Sequence, residues 1–415
     1  MPQLPNIDTV ITKAASHVAY FTPQQPGIPG TFRAARQTGV AVKAPKLFTP
    51  LRIRSMQLAN RVGVSPMCLY SAEDGVATDY HLVHYGQYAL RGPGCVIMES
   101  VAISAPGRIT THCLGIYTEE QRVQLKRIVD FYHSQNKPIG LQLCHAGMRA
   151  SCLALYYDAF DYPVDNERGG WLDQVYGPSP NSQFPYCKEL TTQQVKLIVS
   201  LFKEAARASI EDCGYDFIEI HAAHGFLIHQ FLSPLGNKRT DQYGGSFENR
   251  TRILVEILKA VNEVRDTLKK DFPIFVRISA SDNDETNPDS WRIKDSLRLA
   301  KILVQYGVDV IDVSSGGMAD SKPPQIYQTD MAKSVKTVVG DKCIVAAVGS
   351  IRKGKFAEQL LQNNYCDMCL SGRGFLKEPG MVERWAEELD VDIQLNLQDG
   401  WCFGKVWDPE KSKLS

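Results

Sequence analysis

Two histidines, His221 and His224, stand in the segment HAAH at the end of a short apolar run. Imidazoles at this spacing can ligate a metal ion, donate hydrogen bonds to one substrate oxygen, or simply pack in the core. A metal site would require further ligands, and neither a His-x-His motif in the first run nor a carboxylate partner is evident. We therefore predict no metal, and the spacing alone leaves the oxyanion and structural interpretations open.

A single arginine, Arg277, ends another apolar run. Its guanidinium cannot lose its proton in a protein, so a partly buried position requires a compensating partner. That partner is either an electron-rich cofactor ring or a neighbouring carboxylate, and the residue pattern does not choose between them.

Glycines follow the last two apolar runs, at Gly349 and at Gly372, which precedes Arg373. Backbone N–H groups at such turns bind phosphate when they lie near a helix start. We predict a phosphate site there, with ordinary turn glycines as the alternative.

The elements that would position these residues form a regular series. Strand-length apolar runs alternate with amphipathic segments, which is typical of a parallel sheet. The predicted helices include 191–212, 248–267, 295–306 and 353–363. About eight such units in one series predict an α/β fold of the (β/α)8 TIM-barrel type, with a doubly wound open sheet as the alternative. The predicted strands are Arg61–Met67, Gly94–Val101, Pro138–Ala146, Asp216–Ala222, Pro273–Ser279, Asp309–Ser315, Cys343–Gly349 and Asp367–Arg373.

Three parts are expected along the chain: an irregular N-terminal arm over residues 1–45, the barrel over 46–390, and a C-terminal tail over 391–415. A long insert, 148–186, follows the third predicted strand. Long loops in compact domains are usually functional, so we expect this insert to shape the substrate pocket. Cys366 and Cys369 have C-x-x-C spacing, but strand alternation would turn their side chains to opposite faces.

Composition excludes several classes of protein. The 415 residues contain 46 Lys plus Arg and 46 Asp plus Glu, so the formal net charge is zero and a nucleic-acid binder is not expected. No apolar run approaches the ~18 residues of a membrane span, and no signal peptide is expected. The 11 cysteines are scattered and odd in number, which indicates reduced thiols and a cytoplasmic protein.

Two longer segments carry a family resemblance. Ser65–Ser71 reads SPMCLYS, and residues 221–250 read HAAHGFLIHQFLSPLGNKRTDQYGGSFENR. The chain resembles the Old Yellow Enzyme family of flavin-dependent ene-reductases from about residue 45 to 389, in the branch with a cysteine in the SPMCxYS motif. The resemblance implies a TIM barrel with non-covalent FMN, and NADPH or NADH as the reductant.

The resemblance also implies residue roles. His221 and His224 would hold the carbonyl of the substrate, while Tyr70 and Cys68 would lie beside the reacting groups. Ser100 and Gln142 would hydrogen-bond the flavin pyrimidine, and Arg277 would stabilise the reduced ring. The full set of residues expected to bind the cofactor is Ser65, Pro66, Met67, Cys68, Ser100, Gln142, Arg277, Gly349, Gly372 and Arg373.

The implied activity is reduction of the activated C=C bond of α,β-unsaturated carbonyl compounds by hydride from flavin N5. One residue departs from the family pattern: Phe226 stands where a proton-donating tyrosine is usual. This departure keeps a redox-neutral isomerase or a specialised biosynthetic flavoenzyme as the alternative. A metal-dependent barrel hydrolase and a flavin-binding protein without catalysis are further alternatives.

The partner expected from the resemblance is a small enone-type molecule, with no nucleic acid or membrane. Some relatives place an arginine from a partner subunit's tail in the active site, so a homodimer is possible. No Arg follows Arg384 here, and Trp401 and Lys405 are the nearest candidates for such a contact. In addition, the usual HAGRK motif reads HAGMR, with Arg149 at the position of the lysine.

Overall fold

The computed structural model describes residues 13–35, 43–157, 161–319 and 328–403. Strands and helices alternate through most of this length. The strands are β1 Phe32–Ala35, β2 Leu51–Ile53, β3 Met56–Leu58, β4 Val62–Val64, β5 Cys95–Ala102, β6 Ile139–Cys144, β7 Tyr176–Gly177, β8 Lys188–Glu189, β9 Phe217–Ala222, β10 Ile274–Ser279, β11 Val310–Ser314, β12 Ile344–Val348, β13 Met368–Ser371 and β14 Val391–Ile393. The helices are α1 Asp79–Leu90, α2 Glu119–Ser134, α3 Thr192–Glu211, α4 Leu227–Leu232, α5 Phe247–Leu268, α6 Ile293–Gln305, α7 Gln328–Val339, α8 Gly354–Gln362, α9 Arg373–Lys377, α10 Met381–Glu388 and α11 Leu397–Gly400.

Eight parallel strands close into a barrel in the order β4-β5-β6-β9-β10-β11-β12-β13. Each of the eight predicted strand runs overlaps one of them, so the TIM-barrel prediction is confirmed and the open sheet is excluded. The four predicted helices correspond to α3, α5, α6 and α8. Several helices begin at capping residues, such as Thr191, whose hydroxyl accepts from the Gln194 N–H.

Successive residues of a strand point to opposite faces of the sheet, so the barrel has two separate apolar cores. Residues facing the helices form one large apolar cluster. Residues facing the barrel axis form a second apolar cluster at the amino-terminal end of the barrel, which the β2–β3 hairpin covers. Phe217 and Phe275 stack at the centre of this second cluster, with ring centroids 4.4 Å apart. Further up the same strands the inward positions become polar, at Glu219, Arg277 and Asp312.

The N-terminal segment contains a strand that the sequence analysis did not predict. β1 pairs antiparallel with β14, so the segment before the barrel and the segment after it form one small sheet. Asn60 donates to the carbonyl oxygens of Gly30 and Gly92 at 3.0 and 2.8 Å. Lys137 Nζ donates to the Pro29 carbonyl at 2.7 Å. These two side chains fasten the N-terminal segment to the barrel.

The prediction that the side chains of Cys366 and Cys369 point to opposite faces of a strand was wrong. Cys366 precedes β13, which begins at Met368, so strand alternation does not apply to it. Its Sγ lies 3.9 Å from the Sγ of Cys369, and both thiols are fully buried. Among the described helices, none is long and apolar enough to cross a bilayer.

Lys137 makes a testable contribution to stability. Burial lowers its pKa from 10.5 to about 7. Between these values the unfolded chain binds the proton more tightly, so this residue makes the folded protein more stable as the pH rises. At neutral pH the Lys137→Met variant should therefore unfold at a higher temperature than the wild type. Each unit of pKa difference corresponds to about 1.4 kcal/mol.

The test is how the difference in melting temperature between Lys137→Met and the wild type, the advantage of the variant, changes with pH. Differential scanning fluorimetry from pH 7 to pH 10 measures it. The advantage should shrink as the pH rises, because wild-type Lys137 then folds without losing a proton. Exposed Lys196 gives the matched control, Lys196→Met. An advantage that is constant across this range would show that folding does not lower the pKa of Lys137.

Candidate active site

Two adjoining cavities open at the carboxyl ends of the barrel strands, of about 400 and 210 Å³. Pro66, Met67, Arg277 and Arg373 line both. The larger, which we call the ring cavity, is also lined by the predicted residues Cys68, Tyr70, Ser100, Gln142, His221 and His224. The smaller, which we call the phosphate cavity, is also lined by the predicted residues Ser65, Gly349 and Gly372.

The SPMCLYS segment leaves β4 and forms one wall of both cavities. Ser65 N–H donates to the Ser371 carbonyl at 3.0 Å, which continues the pairing with β13. Glu99 accepts from the Leu69 N–H at 2.9 Å and from the Tyr85 hydroxyl at 3.1 Å. Burial raises the pKa of Glu99 to about 8. Through its hydrogen bond to the Leu69 N–H, the buried Glu99 side chain on β5 fixes the position of the SPMCLYS segment.

Two side chains of this segment line the ring cavity, Cys68 and Tyr70. Burial raises the pKa of the Cys68 thiol well above its ordinary value. Burial and the neighbouring Cys68 raise the pKa of Tyr70 as well. At neutral pH the site thus presents a thiol and a phenol, both of which carry their protons.

His221 and His224 meet edge to face, with ring centroids 5.1 Å apart. Burial lowers the pKa of each imidazole well below its ordinary value, and the charge of Arg277 adds to the effect. Both rings are therefore neutral, and each carries one N–H. Phe226 packs edge to face on His221 at 5.0 Å.

The backbone at His224 is held in an unusual conformation. Its φ is +59°, in the left-handed region that non-glycine residues rarely adopt. The next residue, Gly225, approaches the Gly317 carbonyl so closely that a Cβ would lie 2.1 Å from its oxygen. Gly225 N–H donates to His229 Nδ1 at 3.0 Å, and His229 Nε2 lies 3.1 Å from buried Asp282. This buried pair supports the histidine loop from behind.

A hydrogen-bond chain engages one nitrogen of His224. Gln328 Nε2 donates to Ser314 Oγ at 2.9 Å, and Ser314 Oγ lies 2.7 Å from His224 Nε2. A hydroxyl group can accept one hydrogen bond and donate another, and in that arrangement the proton of the neutral His224 ring lies on Nδ1.

Arg277 has a carboxylate partner inside the barrel. Its Nε lies 3.2 Å from Asp312 Oδ2, and the two residues are register partners on β10 and β11. On the other side, Gln142 Nε2 donates to Glu219 Oε2 at 2.6 Å, again between register partners. Of the two partners that the sequence left open for Arg277, the carboxylate is present, and the guanidinium still lines both cavities.

The long insert contributes to the ring cavity, as predicted. Cys152, Leu153, Leu155 and Asp161 all line it. Asp161 also forms an ion pair with Arg149, with Nη1 and Oδ2 2.6 Å apart. Arg149, the residue at the usual lysine position, itself lies in the insert, and its Nη2 donates to the Gly317 carbonyl at 2.6 Å, which ties the insert to the loop after β11. Of the two residues expected near a partner's active site, Trp401 is exposed and Lys405 lies outside the described residues.

Several residues were not predicted as part of the site. Ser314 and Gln328 support His224, while Glu219 and Asp312 lie beneath Arg277. A usable signal existed for the two acids: each interrupts an apolar strand at an inward position, in FIEIHA and VIDVS. Gln328 offered no such signal, because it begins α7 and reaches the site only through the closure of the barrel.

Comparisons with known proteins agree with this geometry. Residues 46–392 match the family described as NADH:flavin oxidoreductase / NADH oxidase. The chain is 42% identical over 406 residues to "NADH:flavin oxidoreductase FG08077" of Gibberella zeae, covering 94% of this chain and 95% of that one. It is 39% identical over 367 residues to an "NADPH dehydrogenase" of Bacillus subtilis, covering 86% and 100%.

Among solved structures, morphinone reductase superposes with a TM-score of 0.67 at 25% identity, over 89% of this chain and 93% of that one. The barrel, the two cavities at its carboxyl end and these sequence matches agree with one another. The chain belongs to the NADH:flavin oxidoreductase / NADH oxidase family, a family of FMN-dependent oxidoreductases.

Proposed function

We propose that this protein is an FMN-dependent NAD(P)H oxidoreductase that reduces the activated C=C bond of α,β-unsaturated carbonyl compounds. The observation that carries the proposal is the pair of neutral imidazoles, His221 and His224, in the ring cavity. Two relatives support the reductant and the substrate class: the "NADPH dehydrogenase" of Bacillus subtilis and a morphinone reductase structure in complex with tetrahydroNAD.

The residues present fit FMN. Gly349 lines the phosphate cavity with a φ of +112°, which favours glycine, and a Cβ there would lie 2.4 Å from Gln328 Oε1. Arg373 lines both cavities and offers a permanent positive charge for a phosphate. Among the described residues buried Arg277 Nε has no well-aligned hydrogen-bond partner, and the guanidinium lines both cavities, so it has donor capacity for a flavin pyrimidine.

When bound, FMN supplies hydride transfer from NAD(P)H to the substrate. The protein orients the substrate and polarises its carbonyl oxygen. His221 and His224 donate N–H groups to the substrate oxygen, where negative charge develops as the C=C bond accepts hydride. Apolar residues of the ring cavity, such as Ile109, Leu153 and Leu376, keep water from the reacting carbons.

Phe226 has no proton to donate, so the α carbon of the substrate must receive its proton from another group. Tyr70 lines the same cavity and retains its phenol proton, because burial raises its pKa. Tyr70 or solvent therefore supplies the proton in this proposal, and Phe226 shapes the pocket around His221. The same substitution favours the second candidate, a redox-neutral isomerisation in which no external proton is consumed.

Two finer predictions belong with this proposal. Cys68 would lie at the reactive edge of the flavin as a neutral thiol, as in the cysteine-containing branch of the family. The homodimer stays a prediction, and exposed Trp401 and Phe403 give the C-terminal segment an aromatic surface that could take part in it.

The function is tested by an anaerobic absorbance spectrum of the purified protein. We expect flavin bands that bleach with NADPH and return when an enone such as 2-cyclohexenone is added. Bands that bleach and stay bleached, while the product of an added enone is an isomer, would favour the redox-neutral candidate. A protein without flavin bands after incubation with FMN would contradict both.

Replacing both His221 and His224 by Ala should weaken the binding of phenolic ligands by at least about tenfold. Hydrogen bonds to a charged oxygen contribute ~1.5–3 kcal/mol each, and ~1.4 kcal/mol is tenfold in affinity. Titration of the flavin absorbance with a phenol measures this effect while the bands report retained FMN. Exposed His17→Ala is the matched control. Unchanged phenol affinity in the double variant would exclude the oxyanion role.

The Phe226→Tyr variant should turn over simple enones faster, because a positioned general acid typically contributes ~10²–10⁴-fold. Stopped-flow reoxidation of the reduced enzyme by enone isolates this half-reaction. The control is Phe184→Tyr, which alters a buried ring that does not line the ring cavity. An unchanged rate in a folded Phe226→Tyr protein would mean that Tyr70 or solvent already supplies the proton at full efficiency.

A further inference from the structure

Two buried carboxyl groups, Glu219 and Asp312, lie inside the barrel below the ring cavity. Both side chains are fully buried. Glu219 Oε2 accepts from Gln142 at 2.6 Å, and Asp312 Oδ2 lies 3.2 Å from Arg277 Nε. Gln142 and Arg277 line the ring cavity, so each acid is one side chain away from the flavin site.

The remaining oxygens of the two acids have no donor from elsewhere in the described protein. Glu219 Oε1 and Asp312 Oδ1 are buried without a donor group among the described residues, and the two acids are inward residues of β9 and β11, the strands that pair with β10 on either side of Arg277. Two adjacent carboxylates cannot both stay ionised away from water, and a proton between them satisfies both oxygens. Burial and Asp312 raise the pKa of Glu219 to about 8, and burial raises that of Asp312 as well.

The surroundings of the pair contain few other titratable groups. Arg277 on β10 is the charged neighbour, and Cys95 on β5 faces Glu219 as a thiol with a raised pKa. Neutral His221 lies two residues along β9 from Glu219. The inward residues of the other strands do not titrate: Gly63, Ala346, Val348, Met368 and Leu370.

We propose that Glu219 and Asp312 form a proton-sharing pair beneath the flavin site, which holds one proton while FMN is oxidised and takes up a second when FMN is reduced. This rests on the proposed binding of FMN next to Arg277. With one shared proton, the pair carries a single negative charge that balances Arg277. When reduction adds negative charge to FMN bound beside Arg277, protonating the pair would keep the buried cluster neutral.

The balance of the step is simple. NADPH gives a hydride to FMN, which accounts for both electrons and one hydrogen and leaves NADP⁺. The pair takes one proton from solvent, and no bond of the protein other than this O–H forms. Oxidation by the substrate returns the proton. Glu219 and Asp312 are thus positioning residues, which act through Arg277 and Gln142 without touching the substrate.

The first test requires no cofactor. Infrared spectroscopy of the apoprotein at pH 7 resolves the carbonyl stretch of protonated carboxyl groups from the amide bands. We expect one such band to disappear in Glu219→Gln, and a separate band to disappear in the control Glu99→Gln, since Glu99 is the other buried acid with a pKa near 8. A Glu219→Gln spectrum that retains every wild-type carboxyl band would overturn the shared proton.

The second test is the midpoint potential of bound FMN between pH 6 and pH 8. For a two-electron couple each proton taken up shifts the potential by about 30 mV per pH unit. The wild type should show a slope of about 59 mV per unit, and Glu219→Gln about 30 mV, because the Gln amide donates to Asp312 and keeps it ionised. The control is exposed Glu120→Gln, which should retain the wild-type slope.

The outcomes separate this proposal from the proposed function. A wild-type slope of 30 mV with FMN bound, or the same steep slope in Glu219→Gln, would refute proton uptake by the pair and leave the oxidoreductase intact. A protein that binds no FMN would refute the proposed function, and the infrared bands of the apoprotein would still decide whether the proton is shared.

Discussion

The buried positive charge of Arg277 is the constraint to which the rest of the active site responds. A guanidinium remains protonated even away from water, so its burial must be offset by nearby negative charge. Asp312, its register partner on the next strand, provides that charge at 3.2 Å. The same positive field helps to keep His221 and His224 neutral, which makes each of them a hydrogen-bond donor with one proton. Burial, and then the charge of Arg277, thus keep both imidazoles of the proposed substrate site neutral.

The barrel makes this arrangement possible through strand alternation. Residues two apart on one strand share the inward face, so Phe217, Glu219 and His221 form a column from apolar core to substrate cavity. Phe275 and Arg277 repeat this order on the next strand. Because the amino-terminal end is filled with apolar side chains and covered by a hairpin, the polar groups concentrate at the carboxyl end. The same strands therefore supply both the stability of the barrel and its chemistry.

Much of this could be predicted from the sequence, for reasons that the structure makes clear. The barrel strands are short buried runs that end in polar residues, and the carboxyl ends of parallel strands meet at one rim, so His221, Arg277 and Gly349 could be placed together. Contacts between residues that are far apart in the sequence and meet only when the barrel closes could not be predicted. The β1–β14 pair joins residues far apart in the chain, and Gln328 reaches Ser314 from the start of a separate helix. For Cys366 the error was local, because the strand begins two residues later than the spacing argument assumed.

Phe226 shows how the site can lose one catalytic group and keep the rest. Its ring packs on His221 and lines the ring cavity, so the position still contributes to the shape of the site. The histidine loop is held by other groups: the left-handed conformation at His224, the close contact of Gly225 with Gly317, and the buried His229–Asp282 pair. None of these depends on a hydroxyl at residue 226. In the proposed function, polarisation of the substrate oxygen and delivery of a proton are therefore separable, and a change at residue 226 would alter the second without disturbing the first.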